Sequence, residues 1–323
     1  RINISYDGFT WESKFVLDGT VDRVIEKLKA SEHCREEEGA FHLELESFGI
    51  SGRETKWVFT RADGTSLYTT RDLAYHMDKF KRTDVAVNVL GEDQKLGMQE
   101  LAAALTIIGV DRKPEIVYYA FVSLPEGKMS TRKGVVVYID DLIDEAVERA
   151  YDEVKKRRTD LSEERMREIA RVVGVGALRY NIIRIQAEKQ IVFKWEDALN
   201  FEGASAPFVQ YAHARACSIL KKAGARAGRF DARKLATDHE KALAKIIAGF
   251  PSVIEECAEN RRAHTLAAYA QDLAAQFNQF YRYVPVLKAE GEVLAARLAL
   301  VEASMWALRN SLSCLGMEAP EEM

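Results

Sequence analysis

No apolar run in this chain approaches the roughly 20 residues needed to cross a bilayer, which excludes a helical membrane protein. Cysteine is sparse: Cys34, Cys217, Cys257 and Cys314 lie far apart, with no C-x-x-C pair. A disulfide scaffold would carry more, and a zinc site would need clustered ligands. Reduced, structural thiols in a cytoplasmic protein are therefore expected. With only 6 Pro and 19 Gly, collagen-like and disordered chains are excluded, and abundant Ala, Leu, Glu, Lys and Arg favour helix. No methionine opens the chain; it starts Arg1-Ile-Asn-Ile4, without an apolar targeting segment, and reads as cut from something longer. A large excess of one charge is also missing, the net charge being -4. Local charge is less even. Between Arg215 and Lys234 stand seven basic residues (Arg215, Lys221, Lys222, Arg226, Arg229, Arg233, Lys234) against one acid, Asp231. Such a face binds phosphates even on a mildly acidic protein, although a solvated helix end has the same composition.

What is present is length and pattern. At about 100–200 residues per domain, 323 residues make two or three domains. Val21–Lys29 has the spacing of a short amphipathic helix, Ala40–Phe48 alternates like an edge strand, and Trp57–Arg61 is a further strand. A helix follows from about Thr70 to Phe80. Asp84–Leu90 is a β-branched run of strand length stopped by Gly91, and an apolar-periodic helix runs on through Met98, Leu101, Leu105 and Ile108. Further strands are expected at Glu115–Leu124 and Val135–Tyr138. Strands alternating with helices imply crossovers and a parallel sheet, whose ligands sit beyond the carboxyl ends of the strands. From Asp140 onward the period is helical: Asp140–Arg158, Ser162–Val173, Gly176–Glu188, Ala206–Ala223, His239–Glu259, Thr265–Val284 and Glu292–Leu315. The expected architecture is an α/β domain followed by an all-α bundle.

Two segments fall where a parallel sheet presents ligands. Gly91-Glu-Asp-Gln94 ends a strand. The loop Gly127-Lys-Met-Ser-Thr-Arg-Lys-Gly134 places cations and small hydroxyls between glycines. Such a loop can close over a polyphosphate and stabilise the charge on departing pyrophosphate; an exposed basic turn is the plainer reading. A third pattern concerns a planar cation. Tyr68 and Asp72 are four apart and share one helix face, and a guanidinium needs a carboxylate in bidentate geometry beside a second acceptor. The alternative pairs Asp72 with Arg71, or uses it as a helix cap, and buries Tyr68.

These segments also carry a resemblance. The loop Lys128–Lys133 resembles the KMSKS loop of class I aminoacyl-tRNA synthetases, and Gly91-Glu-Asp-Gln94 their G-x-D-Q segment. Leu67-Tyr-Thr-Thr-Arg-Asp-Leu-Ala74, Phe193-Lys-Trp195 with Phe201-Glu-Gly203, Phe208-Val-Gln-Tyr-Ala-His-Ala-Arg215 and the ending Leu315–Met323 are similar to arginyl-tRNA synthetases, from about residue 10 to residue 323. The family carries a HIGH-type motif upstream. The six histidines here form no H-x-G-H, so the chain resembles the second part of the catalytic fold plus the anticodon-binding domain, and alone is expected to be inactive.

The resemblance implies residue 1–126 as the second part of a Rossmann-type catalytic domain, 127–204 as the loop and a helical linker, and 205–323 as the α-helical anticodon-binding domain. It implies L-arginine held by Tyr68, Asp72 and Gln94. ATP, with Mg²⁺ on its phosphates, would be held by Gly91, Asp93, Val122, Lys128, Met129 and Ser130, with Lys128, Ser130 and Arg132 acting in catalysis. Thr131 stands where the family's usual second lysine would be, so Arg132 is the expected second cation. tRNA(Arg) would meet Phe208, Tyr211, Arg215, Tyr281 and Met323, the first three on one helix face where aromatic rings stack with unpaired bases. An aromatic stripe of that spacing also fits a core. Gln210 and His213 read as structural. No resident metal is expected, and the protein reads as a cytoplasmic monomer.

Overall fold

The computed structural model describes residues 1–51, 56–123, 138–200, 203–224 and 229–323. The chain divides into two compact units, residues 6–121 and residues 1–5 with 122–323.

In the unit of residues 6–121, α1 (Ser13–Leu17) and α2 (Thr20–Lys29) come first. Val21, Val24 and Leu28 recur at helical spacing on α2 and are the residues it buries. A meander of β1 (Cys34–Glu37), β2 (Ala40–Glu44) and β3 (Lys56–Val58) follows. β2 is its central strand, pairing antiparallel with both neighbours, and not the edge strand expected over Ala40–Phe48. The alternation there reflects one buried face, since Leu43 lies inside with Trp57 as its cross-strand partner. The polar run Cys34–Glu37, which has no apolar alternation, gives β1 no signature in sequence.

Helix α3 (Tyr68–Arg82), strand β4 (Val87–Gly91), helix α4 (Lys95–Ile107) and strand β5 (Glu115–Tyr119) make a β-α-β crossover; β4 and β5 pair in parallel, Val87 opposite Glu115 and Gly91 opposite Tyr119. Leu73, Phe80, Leu101, Ala104 and Leu105 join Val24 and Leu28 in the core of this unit.

The other unit begins with β6 (Val122–Ser123), so the expected strand Glu115–Leu124 is broken in two. Helices α5 (Ile139–Arg157) and α6 (Glu163–Ile183) follow, then β7 (Ile191–Val192), parallel to β6, and α7 (Trp195–Ala198). The expected strand Val135–Tyr138 lies largely outside the described residues. α6 is one helix where two, Ser162–Val173 and Gly176–Glu188, were expected. A Cβ on Gly174 would meet the Ala146 carbonyl oxygen at 2.7 Å, and one on Gly176 would meet Gln210 Nε2 at 2.8 Å. Close packing against α5, rather than chain termination, explains Gly174. The N-terminus of α6 is capped by Ser162, whose hydroxyl accepts from the Arg165 N–H.

The remaining helices are α8 (Ala206–Ala223), α9 (Asp238–Ala248), α10 (Phe250–Asn260), α11 (Ala263–Tyr283) and α12 (Gly291–Cys314). α8 ends where Gly224 takes a φ of 65°. The helical run His239–Glu259, in which Pro251 marks a break in sequence, is two helices that meet at Gly249, and the missing N–H of Pro251 suits a first turn. Thr237 and Glu240 form a reciprocal capping box at the start of α9. Phe277, Phe280, Leu273, Val209, Leu308 and Leu312 fill the core of the bundle.

Gly174→Ala tests the close approach. The methyl would strike backbone, which cannot swing aside, so a loss of about 1–3 kcal/mol is expected. It would be read as a lower urea midpoint at unchanged slope; an unchanged midpoint would show that α5 and α6 are not in backbone contact.

Candidate functional site

The first candidate site is assembled around the start of α3. Tyr68 opens the helix and is 68 % exposed, so it is not the core residue of the plainer reading. Arg71 pairs with Glu12 at 2.9 Å and not with Asp72. Asp72 stands in the second helical turn and does not cap. Its Oδ1 lies 3.2 Å from Nδ1 of His76, one turn further on, and its main-chain carbonyl lies 2.9 Å from the same nitrogen. His76 is 1 % exposed. Its Nε2 is 2.7 Å from Nδ2 of Asn88 on β4, and Asn88 Oδ1 accepts from Lys79 Nζ at 2.9 Å. Lys79 also lies over the Tyr75 ring at 4.2 Å, and its withdrawal from water lowers the ammonium pKa.

This network ties α3 to β4. Arg112 clamps the short connection between them by donating to the Phe80 and Thr83 carbonyls. Asp72 is joined through His76 to Asn88 of β4, and that strand ends at Gly91, where a parallel sheet presents its ligands.

At that end Gly91 is followed by Asp93, whose carboxylate folds back over it; a Cβ on Gly91 would lie 2.5 Å from Asp93 Oδ1. Gln94 is exposed and donates through Nε2 to Asp93 Oδ2 at 3.1 Å, so the structure groups Gln94 with Asp93. In the other unit, Val122 is half-buried and pairs with Ile191. Lys128, Met129, Ser130 and Arg132 lie outside the described residues.

The second candidate site is on the helical unit. Arg215 of α8 is held between two tyrosine rings, 4.6 Å from that of Tyr211 and 4.4 Å from that of Tyr281 on α11, and donates to Asn278 Oδ1 at 2.7 Å. Both rings are exposed, at 42 % and 46 %. Phe208, on the same face of α8, packs instead against the core. Tyr211 also lines a cleft of about 860 Å³ with Arg149, Arg158, Trp195, Asn200 and Met323. Arg149 stacks on Trp195 at 5.0 Å. Arg158 donates to the Met323 carbonyl at 2.7 Å and to Glu322 at 2.8 Å, and Asp160, its third partner, is held down at about pKa 2. Of the basic run at 215–234, Arg233 pairs with Asp231 and Lys234 with Glu292, so only part of its charge is unmatched.

Sequence reasoning missed His76, Asn88 and the cleft residues Arg149, Arg158 and Trp195. For His76 the signal was available, because a residue four beyond Asp72 shares its helix face. For Asn88 it was not, since a polar residue in a β-branched run carries no mark of what it faces.

The tail 315–323 is irregular, and side chains satisfy its carbonyls. Arg179 donates to Leu315 O, Gln210 to Glu318 O at 3.0 Å, and His213 Nδ1 to Pro320 O at 2.9 Å. Arg171 grips the Glu318 carboxylate through two bonds, at 2.8 and 2.9 Å.

Comparison with known proteins decides the family. The family described as tRNA synthetases class I (R), catalytic domain, matches residues 1–195, and the DALR anticodon binding domain matches residues 209–323. The chain belongs to the class I arginyl-tRNA synthetase family. It is 57 % identical over its whole length to the arginine–tRNA ligase of Methanocella arvoryzae and 49 % identical to that of Methanothrix thermoacetophila. It covers 56 % and 57 % of those proteins, so the chain spans little more than half the length of these relatives. Among solved structures it matches the arginyl-tRNA synthetase of Thermus thermophilus with a TM-score of 0.89 at 31 % identity, covering all of this chain and 61 % of that one. The family's α/β catalytic fold and helical anticodon-binding domain agree with the architecture expected from sequence.

His213 supplies a pH test of the tail. Burial holds its imidazole below the ordinary 6.5, helped by Arg309 and opposed by the bond to Pro320. With the folded pKa depressed, the unfolded chain takes up the proton first as pH falls. The stabilisation is complete above about pH 6.5 and is lost as the pH falls through that value and the lower folded one. The wild-type thermal midpoint should fall more between about pH 7.5 and about pH 5.5 than that of His213→Asn. Parallel pH profiles would refute this.

Proposed function

We propose that the full-length protein carrying this chain is an arginine–tRNA ligase, joining L-arginine to tRNA(Arg) with ATP. The observation that carries the reading is Asp72. Its carboxylate stands one turn beyond exposed Tyr68 and beside the imidazole of His76, and among the described residues no guanidinium or ammonium lies within ion-pair distance of it. Its charge is thus left for a ligand, and the planar fork of arginine matches a carboxylate in two parallel bonds. A lysine ammonium would use one.

Arginine's own carboxylate attacks the α-phosphate of ATP and pyrophosphate leaves; a ribose hydroxyl of the terminal adenosine then takes the arginyl group and AMP leaves. Positioning and charge stabilisation supply most of the catalysis. Gly91 and Asp93 at the end of β4, with Val122, are our candidates for contacts to the nucleotide, and Lys128, Met129, Ser130 and Arg132 for the phosphates. Among the described residues no three or more His, Cys, Asp or Glu side chains gather into a metal site, and Mg²⁺ would arrive with ATP as the MgATP substrate. Tyr211, Arg215, Tyr281 and Met323 form an aromatic and cationic surface suited to unpaired bases of an anticodon loop, with Phe208 supporting it from the core. We read the protein as a cytoplasmic monomer, in keeping with four free cysteines and, among the described residues, no helix long and apolar enough to cross a membrane.

In the full-length enzyme Asp72→Asn should raise the arginine KM about 10- to 100-fold in ATP–pyrophosphate exchange, the loss expected for a charged hydrogen bond. An unchanged KM would overturn the pocket assignment. The 323 residues alone, having no H-x-G-H, should show no arginine-dependent exchange, yet should bind tRNA(Arg) with an affinity that falls steeply with salt. Exchange by this chain, or salt-independent binding, would contradict the reading.

A further inference from the structure

The polar chain behind Asp72 runs in one direction only. Lys79 has donors and no acceptor, so the Asn88 atom 2.9 Å from Nζ must be the carbonyl oxygen. The Asn88 amide therefore faces His76 and donates to Nε2 at 2.7 Å. A neutral imidazole that accepts at Nε2 carries its proton at Nδ1, and that nitrogen faces Asp72, 3.2 Å from Oδ1 and 2.9 Å from the main-chain oxygen. Every link restricts the next: the lysine sets the amide, the amide sets the tautomer, and the tautomer sets a donor against the carboxylate. Three further features make this more than a helix-strand contact. His76 is buried, so the imidazole cannot turn to water. Asn88 is buried as well and sits on β4, three residues before the Gly91 at its end. Lys79 is drawn out of solvent over Tyr75, a cost that an ordinary surface lysine does not bear.

We propose that His76 is a positioning residue for arginine recognition, holding the Asp72 carboxylate in the rotamer that receives the guanidinium, with Asn88 and Lys79 fixing the imidazole. Nδ1 donates to the main-chain oxygen of Asp72 at 2.9 Å and stands 3.2 Å from Oδ1, so its N–H dipole faces the carboxylate on one side and leaves Oδ2 for the ligand's fork. The role resembles that of outer groups which orient a metal's ligands, applied to an organic cation. It rests on the reading that Asp72 binds arginine.

The test uses the full-length enzyme in ATP–pyrophosphate exchange, with arginine KM, ATP KM and kcat measured separately. The variants are His76→Leu, His76→Asn, His76→Gln and Lys79→Met, with Asp72→Asn as the reference. Asn places an amide donor near the position of Nδ1, whereas Gln reaches toward Asn88 and leaves Asp72 without a donor. His76→Leu and His76→Gln should raise the arginine KM about 10-fold, with kcat and ATP KM within about 2-fold, and His76→Asn should recover most of the loss. Lys79→Met, which frees the Asn88 amide to turn over, should raise the arginine KM by about 3-fold. Should His76→Leu fail to fold, the Asn and Gln variants decide the matter between them. Equal arginine KM values for these two, a KM that tracks the thermal midpoint and not the donor, or parallel changes in ATP KM and kcat would overturn the positioning role. If Asp72→Asn raises the arginine KM while the His76 variants leave it unchanged, only this inference fails. If Asp72→Asn also leaves it unchanged, the reading beneath it fails and the inference with it.

Discussion

A buried carbonyl must be hydrogen-bonded, and an irregular segment cannot bond its own carbonyls as a helix does. The tail of the helical unit shows how much of a structure that constraint can organise. Leu315, Glu318, Pro320 and Met323 turn their main-chain oxygens toward Arg179, Gln210, His213 and Arg158, four side chains from α6, α8 and the connection after α5. Each donor is long or buried enough to reach, and together they stitch the tail across the bundle. Met323 is brought by this route to the wall of the cleft that Tyr211 lines. That part of the cleft wall is thus held by side-chain hydrogen bonds and not by helical ones.

The polar chain in the α/β unit answers the same constraint with a different economy. There the groups needing partners are side chains, and direction matters more than number. Because Lys79 cannot accept and Asn88 can do both, one arrangement satisfies all members, and its last donor points at Asp72. The thiols follow the opposite logic. Cys217 touches the His213 ring, yet burial pushes its pKa up to about 11, so the sulfur stays a thiol and serves as filler.

How legible was this in the residues alone? Elements with one apolar face were read nearly to their ends: α2 from Val21, Val24 and Leu28, and α8 and α12 from their long periodic runs. The parallel pair β4 and β5 was legible because a β-branched run stopped by Gly91 and a second apolar run from Glu115 stood on either side of a periodic helix. Misreadings came where a local rule met a tertiary demand. The helix expected to stop at Val173 runs on, and Gly174 within it is a contact; the alternation of Ala40–Phe48 looked like an edge, and its first part is a central strand; Cys34–Glu37 is a strand with no apolar pattern to announce it. At the candidate site, Tyr68 and Asp72 stood out because charge, ring and spacing met on one helix face. His76 and Asn88 did not, because what makes them consequential is a partner distant in sequence.

The backbone contact at Gly174 also bears on how the chain can vary. Two helices that touch through main chain share a surface with no side chain to trim, so Gly174 cannot give way to a larger residue unless both shift along their axes. What faces Gly174 is the main-chain carbonyl of Ala146, itself fully buried. Related chains should therefore keep glycine at 174 whatever side chain stands at 146, since every residue presents the same carbonyl there.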